Sequence, residues 1–186
     1  NLAIPLYSIM YGFCVMLGVG GGARFAIAMG EGSKDKGNAV FTSAMLSGLV
    51  LSAAFSAAGI FFSAPLARLL GANDEVFEMT DIYLKILLSS APAFFLSNIL
   101  AGFVRNDLNP RLAMAATLAG SLSNVLLDYV FIFPLNMGMT GAVLATVLSP
   151  VISAGILSAH IIKGKNRFHF SIKSFKLHTA LSFAAT

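Results

Sequence analysis

Charge is the first thing this chain has little of. Only 11% of its 186 residues are Asp, Glu, Lys or Arg, while 57% are hydrophobic. Soluble domains carry roughly a quarter charged residues, and a fold of this size needs polar groups to cover its surface. The shortage excludes a cytosolic enzyme, a disordered tail and a fibrous repeat. Cysteine is scarcer still: Cys14 stands alone, so it closes no intrachain disulfide, builds no cysteine-based metal site, and reads as a small buried apolar side chain. His160, His169 and His178 are the only histidines, and their spacing fits no metal motif. No nucleophile lies beside a base, so neither an enzyme nor a resident cofactor is expected. A basic leader is also missing before the first apolar run, which is too long for a signal-peptide core and reads as a true span.

What the chain does have is long apolar runs. Five reach about 18 residues or more, the length that crosses a bilayer as a helix: 3–23, 40–62, 82–104, 112–133 and 142–162. They are rich in Ala, Leu, Met and Gly and show no polar/apolar alternation, which favours helices over barrel strands. Breakers fill the intervals: Gly30, Gly32 and Gly37, then Pro65, then Asn109-Pro110, then 134–141. The expected fold class is therefore all-α, a polytopic bundle of membrane helices with antiparallel neighbours. Gly18, Gly20, Gly21 and Gly22 imitate a dinucleotide-binding loop, but no strand precedes them and close helix packing is the better reading.

The net charge of +4 resolves once charges are sorted by side. Arg24, Lys34, Lys36, Arg105, Arg111, Lys163, Lys165, Arg167, Lys173 and Lys176 fall on one side, with Glu31, Asp35 and Asp107. Arg68 and Lys85 fall on the other, with four acids. The positive-inside rule makes the basic side cytoplasmic, so residue 1 is expected outside and residues 163–178 in the cytoplasm of a cell-membrane protein. Basicity is thus topology, and nucleic acid is not needed to explain it. Residues 164–178 mix Phe168, Phe170, Ile172, Phe175 and Leu177 with Lys and His. They read equally as a helix along the inner membrane surface or as a solvated loop.

One ionisable residue lies well inside a span. Asp128 costs roughly 2.5 to 3.5 kcal/mol to insert at the bilayer centre, and such residues usually mark ion or proton pathways. Asn124 lies one turn earlier on the same face. If the hairpin between the fourth and fifth runs centres on Met137, Thr146 is as far from the turn as Asp128 and level with it. The trio offers hard oxygens for a sodium ion, or a carboxyl that takes a proton instead. Burial and a bound cation push that carboxyl in opposite directions, so proton and sodium would compete there, as an ion-coupled antiporter requires. The bland alternative is interhelical hydrogen bonding that only glues spans together. Pro92 and Pro150 sit inside spans and permit kinks. On residue type alone Tyr83 reads as an interfacial belt residue and Asn98 as interhelical glue.

Several stretches resemble the multidrug and toxic compound extrusion (MATE) family. Arg24 with Gly30-Glu31-Gly32-Ser33-Lys34 is similar to the turn after that family's second helix. Residues Phe103 to Pro110 are similar to a later turn, with Asp107-Leu108 where the family usually has Gly. The run from Ser123 to Phe133 followed by Gly138 to Thr146 resembles its fifth and sixth helices. The resemblance implies helices two to six of a six-helix N-terminal lobe over 1–162, and a connector over 163–186 toward a second lobe outside this sequence. It implies a cation-coupled multidrug antiporter, with sodium or protons as the transported coupling ion and drug-like small molecules and membrane lipid as partners. It assigns Asp128, Asn124 and Thr146 to the cation site, makes Tyr83 and Asn98 cavity-lining candidates, and places a further acid on a first helix not present here. Two rivals stand beside it: a lipid-linked oligosaccharide flippase of the wider superfamily, and a non-transporting membrane assembly subunit.

Overall fold

A computed structural model describes residues 2–164 and 166–170. Every regular element among them is helical: α1 (Ile4–Val15), a π-helical turn (Met16–Gly20), α2 (Gly21–Gly30), α3 (Lys34–Leu69), α4 (Phe77–Ser89), α5 (Ala91–Asn106), α6 (Pro110–Ile132) and α7 (Gly138–Ile162). Four units are long and apolar enough to cross a membrane: α1 through α2 as one 27-residue helix, α3, α6 and α7. The pair α4 and α5 makes a fifth, bent by 44° at Ser90. Pro92 lies in the first turn of α5 just beyond that break, where its missing N–H has no helical partner to lose.

The helices outrun the expected spans. Gly37 and Pro65, read from sequence as breakers, both lie inside the 36-residue α3. Gly37 serves packing, since a Cβ there would sit 3.2 Å from Met29 and 3.3 Å from Phe25 of α2. Pro65 removes one hydrogen bond near the helix end without stopping it, which membrane helices tolerate. α7 likewise continues through Pro150. Where a helix does start sharply the cap explains it: Asn109 Oδ1 accepts from Leu112 N at 3.3 Å, with Pro110 at the head of α6.

Small residues let the backbones meet. A Cβ built on Gly102 of α5 would sit 1.9 Å from the Gly18 carbonyl oxygen, and one on Gly22 would sit 2.7 Å from the Gly102 oxygen. Gly18 and Gly22 are one turn apart, so the first helix crosses α5 by small-residue contact. Gly20 has nothing within 4 Å and takes no part. α6 and α7 form an antiparallel hairpin whose seam is Ala113, Ala116 and Gly120 on α6, tied by Ser153 Oγ donating to the Ala116 carbonyl at 2.9 Å. The opposite face of α6, with Leu118, Leu122, Val125 and Leu126, is exposed, as a lipid-facing surface should be. Aromatic packing is concentrated where α2, α3 and α5 converge, with Phe25, Phe41 and Phe103 all buried.

Candidate functional site

Two cavities within the bundle bear on the candidate residues. The first, about 420 Å³, is lined by α1, α5, α6 and α7 and includes Tyr7, Tyr11, Asn98, Asn124, Thr146, Ser149 and Pro150. The second, about 570 Å³, is mostly apolar and is lined by Tyr7, Met79, Tyr83, Leu87, Met139 and others. Tyr7 belongs to both. Asn98, Asn124 and Thr146 therefore share one cavity, whereas Tyr83 lines its neighbour. Asp128 lines neither, but it lies one turn beyond Asn124, and Tyr83 is within reach of both the Thr146 hydroxyl and the Asp128 charge. Pro150 lines the first cavity; Pro92 is exposed at the head of α5 and lines neither.

The hairpin register explains this arrangement. A Cβ on Gly141 would meet Phe131, and one on Gly120 would meet Ser149 and Ser153. The midpoints of these contacts fall near Leu135 and Asn136, so the hairpin centres before Met137. The turn is compact because Asn136 and Gly138 both take positive φ, 49° and 54°. Thr146 is consequently level with the Asn124–Val125 stretch of α6, and Asp128 sits roughly 4 Å nearer the hairpin at 1.5 Å per residue. The expectation that Thr146 and Asp128 are level is corrected by somewhat less than one turn.

Hydrogen bonding decides what the cavity wall offers. Thr146 Oγ1 donates to the Ala142 carbonyl at 2.9 Å, Thr117 Oγ1 to Ala113 at 2.9 Å, and Asn98 Nδ2 to Phe94 at 2.9 Å. The two hydroxyls spend their protons, and Asn98 one of its two amide protons, on their own helices, and the oxygen lone pairs remain as acceptors. Asn124 Nδ2 is buried without a partner, a state that costs about 1 to 3 kcal/mol unless water or a ligand satisfies it. Among the described residues no hydrogen bond or ion pair reaches the Asp128 carboxylate. A wall of acceptors beside an uncompensated acid suits a small hard cation or a proton. No cluster of three or more His, Cys, Asp or Glu occurs among the described residues.

Sequence reasoning overlooked part of this wall. Ser121 and Thr117 extend the Asn124 and Asp128 face of α6 at helical spacing, and Ser149 faces them from α7. The periodicity of Thr117, Ser121, Asn124 and Asp128 was the available signal. Tyr7 and Tyr11 carried no comparable mark.

Fold and site together define a polytopic membrane helix bundle that encloses a polar cavity beside Asp128. The MatE family model matches residues 1–130, and the chain belongs to that family. It is 31% identical over 154 residues to the multidrug export protein MepA of Staphylococcus saprophyticus, covering 83% of this chain and 34% of that protein. It is 30% identical over 176 residues to MepA of Staphylococcus aureus strain MRSA252, covering 95% and 39%. An inward-facing structure of a multidrug resistance MATE family transporter of the MOP superfamily superposes with a TM-score of 0.88 at 26% identity, over 99% of this chain and 43% of that one. This chain thus spans about two fifths of the length of these relatives, which are transport proteins and not enzymes.

Proposed function

We propose that this chain is the greater part of the N-terminal lobe of a cation-coupled multidrug exporter, with Asp128, Asn124 and Thr146 as its cation site. The observation that carries the reading is the cavity shared by Asn98, Asn124, Thr146 and Ser149 one helical turn from Asp128, whose carboxylate meets no hydrogen bond or ion pair among the described residues. Interhelical glue would use up these groups on neighbouring helices. Here Asn98 donates to its own backbone, Thr146 donates to its own backbone with Tyr83 of α4 within reach of its hydroxyl, and Asp128 meets no hydrogen bond or ion pair among the described residues. Uptake of sodium or a proton at Asp128 neutralises a charge that is costly at this depth. That change is large enough to bias one arrangement of the lobes over another. Tyr83 and Asn98 line the path that substrate shares with the cation site, and the Met79 and Met139 surfaces of the larger cavity adapt to bulky amphipathic or cationic compounds.

The basic end, with Arg105, Arg111 and Lys163 exposed, is the cytoplasmic one under the positive-inside rule. Resemblance to multidrug export proteins supports the substrate class. The test is dye efflux from cells making the full-length protein, measured across a sodium and pH series. Asp128→Asn is expected to lose at least tenfold in efflux and its dependence on the coupling ion; export equal to wild type under every condition rules out the coupling role.

A further inference from the structure

Beyond α7 the chain turns back across the basic end of the bundle and docks there. Arg167 donates its backbone N–H to Asp107 Oδ2 at 3.0 Å and its Nε–H to Asp107 Oδ1 at 2.9 Å. The Asp107 side chain has no exposed surface. Leu108, with φ of 61°, makes the left-handed turn that follows it. His160 Nε2 lies 3.5 Å from Asp107 Oδ2. Asn109 caps α6 with its Oδ1 and holds its Nδ2 3.5 Å from His160 Nδ1.

One residue further, Phe168 is fully buried. Its ring centroid lies 4.5 Å from that of Phe41, 5.8 Å from Phe25 and 5.9 Å from Phe103. Those rings come from α3, α2 and α5, so a single side chain of the connector fills the junction of three helices. The His169 backbone N–H then donates to Asn38 Oδ1 near the head of α3 at 2.7 Å.

We infer that residues 166–170 are a clasp that stays docked while the protein works, anchored by Asp107 and plugged by Phe168. Undocking would expose a buried aromatic ring and strip a buried carboxylate of its charged partner. Either change favours the docked form, together on the order of a thousandfold before chain entropy is counted. The consequence is mechanical: the bundle and the first residues of its connector move as one body, and the segment that read from sequence equally as a membrane-surface helix or a solvated loop is, at Phe168, part of the bundle's interior. Residues 171–178, including Ile172, Phe175, Leu177 and His178, lie outside the described residues.

Docking itself does not depend on the export reading; only its persistence during turnover rests on that reading. The test uses the full-length chain in membranes, with Cys14→Ala and the pair Asn38→Cys and His169→Cys, treated with a short reducible bis-thiol reagent. Cross-linking is expected in most molecules, equally in energised and de-energised membranes, with efflux within twofold of the untreated protein. Asp107→Asn and Phe168→Ala are each expected to lower the cross-linking yield at least fivefold, and the second variant leaves no buried charge unpaired if the first fails to fold. A low yield in the starting protein, a yield that neither variant changes, or efflux that collapses on cross-linking and returns on reduction overturns the clasp. A chain that cross-links as expected yet exports nothing before treatment counts against the export reading alone.

Discussion

Substituting Gly102 tests the packing of the first helix on α5 more sharply than any change in the apolar core. A Cβ at this position would fall 1.9 Å from the Gly18 carbonyl oxygen and 2.5 Å from its carbon. A comfortable carbon–oxygen contact needs more than 3 Å, so the two helices must separate by more than an ångström along much of their crossing. The obstacle is backbone on both sides, and no rotamer change relieves it. Overpacking in a core with flexible neighbours typically costs 1 to 3 kcal/mol; with rigid backbone on both faces, Gly102→Ala is expected to cost about 3 kcal/mol. Gly12 provides the opposite case on the same first helix. Nothing lies within 4 Å of a Cβ there, and alanine improves helix propensity by roughly 0.8 to 1.0 kcal/mol. Thermal unfolding of the purified full-length protein in one detergent should therefore rank Gly12→Ala at or above wild type and Gly102→Ala clearly below it. Equal melting temperatures for Gly102→Ala and wild type would refute the close crossing, and with it the placement of Asn98 beside the first helix.

Two smaller perturbations follow from the turn between α5 and α6. Leu108 is exposed and holds φ at 61°, a conformation that penalises L side chains by about 1 to 2 kcal/mol; Leu108→Gly is expected to raise the melting temperature modestly, and a lower one would show that the side chain packs against something. Asn109→Ala removes the α6 cap and is expected to cost about 1 kcal/mol, read in the same assay; no loss would show that water replaces the cap at no cost.

The overall plan was readable because membrane helices announce themselves by length and apolarity, and loops by their breakers. Gly37 and Pro65 misled for a common reason. In water such residues end helices, but here Gly37 is needed for the approach of α2, and Pro65 lies near a helix end where losing one hydrogen bond is tolerated. The site residues Asn124 and Thr146 stood out from sequence because polar groups are rare in the spans, and the cavity they share was approached by depth counting. That counting placed Thr146 level with Asp128, since it assumed a symmetric turn around Met137, while the positive-φ residues Asn136 and Gly138 set a tighter one. Tyr7 and Tyr11 stayed hidden because a tyrosine near the start of a span looks like an interfacial residue whichever way it points. The docking of Phe168 between three helices is a tertiary fact, and an amphipathic run of sequence looks the same on a membrane surface as against a protein.

The central claim is that Asp128 is a cation-binding group and not a structural one. Thermal stability of the purified full-length protein, measured with and without sodium and across pH, tests it without needing a known substrate. A ligand present at a hundred times its dissociation constant stabilises the folded state by about 2.7 kcal/mol, so the wild-type melting temperature should rise with sodium or shift with pH, and the Asp128→Asn protein should respond to neither. A wild type indifferent to both, or a variant that responds as strongly as wild type, contradicts the account.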